Sequence, residues 1–220
     1  MKEFSVFDIV GPRMVGPSSS HTAGAARLAY MAWKIAGKDI RSAKLTLYGS
    51  FADTGRGHGT DKALVAGILG IDPDDERIRY SLLLSQEADV SVSFEFSDVV
   101  MQYPNMARIT ATSSTGAVTD VLGASIGGGN ILITEINGME VEFTGDYPTL
   151  IIRHEDVPGV INAVTGILAN ERINVAFMRV FRSGRSREAY MVIETDTPVP
   201  ERTAGLIVDW CPEITEVKAI

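Results

Sequence analysis

The chain has 220 residues, 45% of them hydrophobic and 22% charged, with a formal net charge of -8 and a pI near 4.9. That length and apolar content support a packed core in one or two domains. The acidic balance repels a phosphate backbone and no Lys/Arg run forms a basic footprint, which speaks against nucleic acid and anionic membranes as partners.

The start, MKEFSVFDIVGPRM, lacks the apolar core of a signal peptide. No later segment approaches the ~18 apolar residues of a spanning helix, so a cytoplasmic location is expected. The single cysteine, Cys211, excludes an intramolecular disulfide. It also puts a cysteine-rich zinc site or an iron-sulfur cluster beyond the reach of this chain alone.

In chain order, GPSSSHTAGAARL comes first. From Ala25 onward Leu28, Ala29, Ala32, Ile35 and Ala36 recur at helical spacing, and Gly37 suits a left-handed cap, which predicts a first helix. AKLTLYGSF alternates with period two and predicts a strand; ADTGRGHGTD is a glycine loop; KALVAGILG predicts a second helix. ERIRYSLLLSQEA reads as a helix and DVSVSFEFSDVV as a half-buried strand. NMARITATSSTG, NILITEI and MEVEFTG read as strands, the last two joined by a type I′ turn at Asn137-Gly138. ASIGGGNI reads as a glycine cluster before a strand, with a bulge or tight turn favoured over ligand contact.

The pattern restarts near Tyr147: strand TLIIRH, loop EDVPG, helix VINAVTGILANE, strand INVAFMRVF, turn RSGRS, strand EAYMVIET, helix ERTAGLIVDW and strand ITEVKA. This βαββαβ order defines a ferredoxin-like sandwich. The fold class is therefore α+β: a mixed domain over 1–146 and a ferredoxin-like domain over 147–220.

Chemistry-bearing residues concentrate in two loops. One of Ser18, Ser19 or Ser20 can cap the first helix, and a cap needs one hydroxyl. Three serines followed by His21 and Thr22 exceed that need and suit an anion at a helix start; cap and binding site both stay open. In DTGRGHGTD the alternating glycines allow close backbone approach and His58 can act as an acid or base near neutral pH. The loop matches neither the Walker nor the dinucleotide fingerprint. His154 reads as an incidental surface histidine or an effector contact. In EDVPG, Pro158 suits the first turn of a helix and Gly159 a close backbone approach, so the amides there can hold a carboxylate.

HEDVPGVINAVTGILANERINV resembles an ACT domain, with Asp156, Pro158 and Gly159 at the positions that contact a small effector. With GPSSSHT, GHGTD and GGGNILITEINGMEVEFTG in this order, the whole chain resembles the beta chain of the bacterial iron-sulfur-dependent L-serine dehydratases (L-serine ammonia-lyases). The resemblance implies an amino-terminal domain like the allosteric substrate-binding domain of phosphoglycerate dehydrogenases. It also implies an alpha chain holding a 4Fe-4S cluster, no pyridoxal phosphate, no metal ligands in this chain, and elimination of water from L-serine to give pyruvate and ammonia. On it His21 and His58 are candidates for proton transfer. Ser18, Ser19, Ser20 and Thr22 are candidates for substrate binding, with Thr60 and Asp61 placing the His58 loop at the same site. It leaves open which histidine is the base and whether the base lies on the partner. Homodimerisation through an ACT sheet edge and a small-molecule or ion effector are expected with it. The competing readings are a stand-alone amino-acid sensor and a chain that only stabilises its partner.

Overall fold

The computed structural model describes residues 18–54, 57–184 and 187–220. Two compact units divide at Gly138 and Met139, ahead of Tyr147.

In the first unit a π-helical turn, Ser19–Gly24, runs into α1 (Ala25–Ile35). Then come β1 (Ser42–Gly49), α2 (Ser50–Thr54), α3 (Thr60–Ile68), a 3-10 turn (Glu76–Tyr80), α4 (Ser81–Glu87), β2 (Ser91–Ser97), β3 (Asn105–Thr112), β4 (Val118–Gly127) and β5 (Asn130–Ile136). The strands lie in the order β2-β1-β3-β4-β5, with β1 and β2 parallel and the rest antiparallel. A parallel pair needs a long crossover, and α2 to α4 supply it.

Strand register explains the core. Leu45, Ile109, Val121 and Ile136 stand opposite one another along one row, and Leu47, Ala107, Gly123 and Ile133 along another. All the apolar side chains of both rows are buried. Leu28 of α1 packs on Gly123, where a Cβ would stand 2.5 Å from Leu28 Cδ1. Helix α3 lies across α1 so closely that a Cβ on Gly67 would stand 2.5 Å from Ala26 O and from Tyr30 N.

Most predicted elements of this unit are present, with three differences. Ser50 and Phe51 open α2 instead of ending the strand. The segment 76–88 is a 3-10 turn followed by α4, with Asp75 Oδ1 accepting from the Arg77 amide at 2.8 Å. The ten residues of β4 form a full central strand where the sequence suggested only a turn at its end. Asn137 (φ 50°) and Gly138 (φ 80°) both adopt the left-handed backbone that a type I′ turn demands.

The second unit contains β6 (Met139–Phe143), β7 (Thr149–Glu155), α5 (Val160–Asn170), β8 (Val175–Arg182), β9 (Glu188–Thr195), α6 (Glu201–Trp210) and β10 (Ile214–Ala219). Its four-stranded sheet has the order β10-β7-β9-β8, the arrangement expected of a βαββαβ sandwich. Leu150 and Ile152 of β7 with Met191 and Ile193 of β9 form one core with Val160, Val164 and Leu168 of α5 and Ile207 of α6. On β6, Glu142 accepts from Arg179 Nη1 at 2.5 Å.

Candidate functional site

Three segments of the first unit converge: the turn before α1, the end of β1 with the start of α2, and the turn before α3. Ser18 is the helix cap, its Oγ accepting from the His21 amide at 3.2 Å. This satisfies the cap and leaves Ser19, Ser20, His21 and Thr22 for other contacts. The imidazole of His21 is held at both ends. Its Nδ1 lies 3.3 Å from Ser18 Oγ and 3.2 Å from Ser20 Oγ, and its Nε2 lies 3.0 Å from Ser50 Oγ.

The rings of His21 and His58 meet edge to face with centroids 5.1 Å apart, and the buried ring of Phe51 stands 5.5 Å from His21 on another side. Thr22 Oγ1 donates to the His58 carbonyl at 3.2 Å, which ties the two loops together. Two histidines 37 positions apart in the chain thus share one site because α1 and α3, which follow them, are packed together.

The other candidates divide. Ser18, Ser20 and Thr22 touch the histidines directly. Asp61 Oδ1 accepts from the Lys62 amide at 2.8 Å at the start of α3. Thr60 is fully buried and its hydroxyl has no partner among the described residues. A buried, unpaired hydroxyl is costly, and Ser125 Oγ and Asn105 Oδ1 share that state. Ser125 lies against the end of the π-helical turn, where a Cβ on Gly24 would stand 2.0 Å from its hydroxyl. Sequence reasoning missed Ser50 and Phe51, which meet the ring of His21. The available signal was position: Ser50 follows the carboxyl end of a strand beside a glycine.

Electrostatics favour a neutral His21. Burial lowers its pKa from the usual 6.5 and the neighbouring His58 lowers it further, while the Ser50 backbone raises it. The unfolded chain therefore takes up a proton at this position before the folded chain does. The stability this residue contributes is intact above pH 6.5 and falls as the pH drops through and below that value. Urea midpoints at about pH 7.5 and about pH 5.5 should differ by less in His21→Gln than in the parent chain; an equal difference in both would contradict the assignment.

The second unit holds the other candidates. Gly159 is the α5 N-cap with φ 102°, and no side chain caps the first-turn amides. Pro158 lies outside the helix, one residue before that cap, because the left-handed glycine separates it from the first turn. Asp156 pairs with Arg182 Nη1 at 3.3 Å, and its amide donates to Arg187 O at 2.7 Å.

His154 is 3% exposed, so it is not a surface residue. Period two along β7 puts it on the core face with Leu150 and Ile152. Its Nδ1 lies 2.7 Å from Glu155 O; a carbonyl only accepts, so Nδ1 carries the proton and Nε2 is a buried acceptor without a partner among the described residues.

Among the described residues no group of three or more His, Cys, Asp or Glu is placed to hold a metal ion. Cys211 is buried and donates to Glu213 Oε2 at 3.3 Å. No helix among the described residues is long and apolar enough to cross a membrane.

Fold and site together define a two-unit α+β protein with a histidine and hydroxyl cluster in the first unit and a ferredoxin-like second unit. A family model described as serine dehydratase beta chain matches residues 4–83, and the ACT domain model matches residues 148–207. The chain is 42% identical to the probable L-serine dehydratase beta chain of Bacillus subtilis, over 91% of each chain. It is 38% identical to the L-serine dehydratase beta chain of Peptoniphilus asaccharolyticus, over 94% of each. It is also 32% identical to an L-serine dehydratase of Streptomyces coelicolor, over 62% of this chain and 35% of that one. The chain belongs to the family of L-serine dehydratase beta chains.

Proposed function

We propose that this chain, with an alpha chain, forms an iron-sulfur-dependent L-serine ammonia-lyase that converts L-serine to pyruvate and ammonia. The observation that carries this reading is the His21–His58 pair, 5.1 Å between ring centroids, set among serine and threonine hydroxyls.

A cluster needs several thiolates. The donor set of this chain does not fit one, since its single cysteine is buried against Glu213. The 4Fe-4S cluster is assigned to the alpha chain, and with it the Lewis acidity that makes hydroxide a leaving group. The contribution of this chain is positioning and proton transfer. Ser18, Ser19, Ser20 and Thr22 offer hydroxyls to a carboxylate at the start of α1, where the helix end favours an anion. A neutral imidazole of the pair takes the α-proton. Returned to the departing hydroxide, that proton leaves as water, and the aminoacrylate tautomerises and hydrolyses to pyruvate and ammonia. Thr60 and Asp61 hold the His58 turn at the head of α3. The Streptomyces relative carries the L-serine dehydratase name and the match covers 35% of its length, which supports a beta part working beside a larger remainder.

The second unit is read as an effector module. The free first-turn amides of α5 after Gly159, with Asp156 and Pro158 beside them, suit the carboxylate of a small molecule. The edge strand β8, with Phe177 exposed, suits pairing with a second copy. A cytoplasmic location belongs to the same reading.

Co-purification with the alpha chain under anaerobic conditions tests the proposal. The brown complex is expected to release pyruvate from L-serine and neither chain alone to do so; a complex with full iron content and no pyruvate would refute it. Calorimetric titration of the same complex with amino acids addresses the module, where Gly159→Val should abolish the heat of binding. Amino-acid binding by this chain without any affinity for the alpha chain would favour the stand-alone sensor.

A further inference from the structure

Ser50 opens α2 directly after β1. Gly49 turns the chain there with φ 53°, and a Cβ on it would stand 2.4 Å from Pro104 O. The Ser50 amide donates to that same carbonyl at 2.7 Å, and the Ser50 carbonyl accepts from Thr54 Oγ1 at 2.7 Å. The residue is therefore anchored on both sides before its side chain is considered, and from this position its Oγ lies 3.0 Å from His21 Nε2.

A neutral imidazole has one N–H and one lone pair to place. On the Nδ1 side stand two hydroxyls, Ser18 and Ser20, 3.5 Å from each other. Ser18 Oγ already accepts from the His21 amide. A proton on Nδ1 would crowd three polar hydrogens onto two oxygens, one of them already accepting. A bare Nδ1 gives one of the hydroxyl protons an acceptor, and Nε2–H then donates to Ser50 Oγ. The Ser50 main chain acts in the same sense: it raises the His21 pKa, as a carbonyl accepting from a ring N–H does.

We propose that Ser50 is the positioning residue that holds His21 in the Nε2–H tautomer, turning the Nδ1 lone pair toward the Ser18 and Ser20 hydroxyls. A proton then reaches His21 through a serine. Ser20 Oγ takes the incoming proton as its own hydroxyl proton passes to Nδ1, which restores the hydroxyl and leaves the charge on the imidazolium. The tautomer rests on the hydrogen-bond geometry around the ring; only its part in turnover rests on the function proposed above.

Long-range 1H–15N correlation spectra of the full chain with 15N-histidine read the tautomer directly, with His21→Gln identifying the resonances. His21 Nδ1 is expected in the unprotonated range and Nε2 in the protonated range. Ser50→Ala should bring the two shifts toward each other as both tautomers populate, and Ser50→Thr, which keeps the hydroxyl, should preserve the parent pattern. The reverse pattern in the parent chain overturns the proposal. So does an unchanged pattern in a Ser50→Ala chain whose amide dispersion shows it folded. In the assembled enzyme Ser50→Ala is expected to lower kcat about 10-fold or more, with KM within about threefold and iron content unchanged, and Ser50→Thr to restore most of it. Full kcat in Ser50→Ala overturns the part of Ser50 in turnover. An inactive parent complex showing the expected tautomer would sink the functional reading and leave the assignment standing.

Discussion

Replacing His21 by alanine in the assembled two-chain enzyme is expected to lower kcat by about 10²–10⁴-fold, the span that a positioned acid or base contributes. The yield of complex and its iron content should stay those of the parent. His21 is partly buried, and among the described residues its side chain meets the hydroxyls of Ser18, Ser20 and Ser50 and the rings of Phe51 and His58. Its loss removes a reactive group without opening the core formed by Leu45, Leu47 and Ile109. His58→Ala is expected to act in the same direction. Because the two rings are in edge contact, the double variant should be little worse than the more damaging single one, as for residues that act as a unit. Pyruvate release under saturating L-serine gives the measurement. Full turnover in both single variants would remove the catalytic assignment and leave membership of the complex intact. Normal turnover number with poor assembly would make the pair a structural element of the interface.

How much of this was legible in the sequence depended on whether a feature was local. β9, α6 and β10 fall at the bounds their patterns mark, because strand alternation and helical periodicity lie within each segment. A serine cap among Ser18, Ser19 and Ser20 was legible for the same reason, but not that Ser18 supplies it to a π-helical turn ahead of α1. β4 was not, since its row-filling Gly123 breaks the alternation that identifies strands, and only the approach of Leu28 from another element explains the glycine. The pairing of His21 with His58 and the role of Ser50 are likewise properties of packing: three loops are brought together by the contact between α1 and α3 and by the turn at Gly49. His154 was misjudged because a histidine beside Glu155 and Asp156 suggests a surface, whereas strand periodicity turns it inward. In each miss, a tertiary neighbour decides what local composition leaves open.

That dependence makes Gly67 the position where fold and site can be broken together. In an isolated helix, glycine to alanine is favourable by up to about 1 kcal/mol. In α3 the added methyl would lie 2.5 Å from Ala26 O and from Tyr30 N and 2.6 Å from Ala29 Cβ. Two of these are backbone atoms of α1 and cannot swing aside, so the helices must separate. Gly67→Ala is therefore expected to destabilise the chain by about 1–3 kcal/mol, the usual cost of overpacking a core, despite the gain in helix propensity. Gly166 in α5 provides the internal comparison, since a Cβ there meets nothing within 4 Å; Gly166→Ala should stabilise by about 0.5–1 kcal/mol. Opposite signs in urea midpoints from the same substitution in two helices would tie the cost to the α1–α3 crossing, and two stabilising substitutions would disprove that crossing. The same displacement carries Thr22 and the His58 turn apart, because each sits just ahead of one of the two helices. Folded Gly67→Ala chains in complex with the alpha chain should then lose kcat as well as stability, whereas Gly166→Ala should leave kcat unchanged.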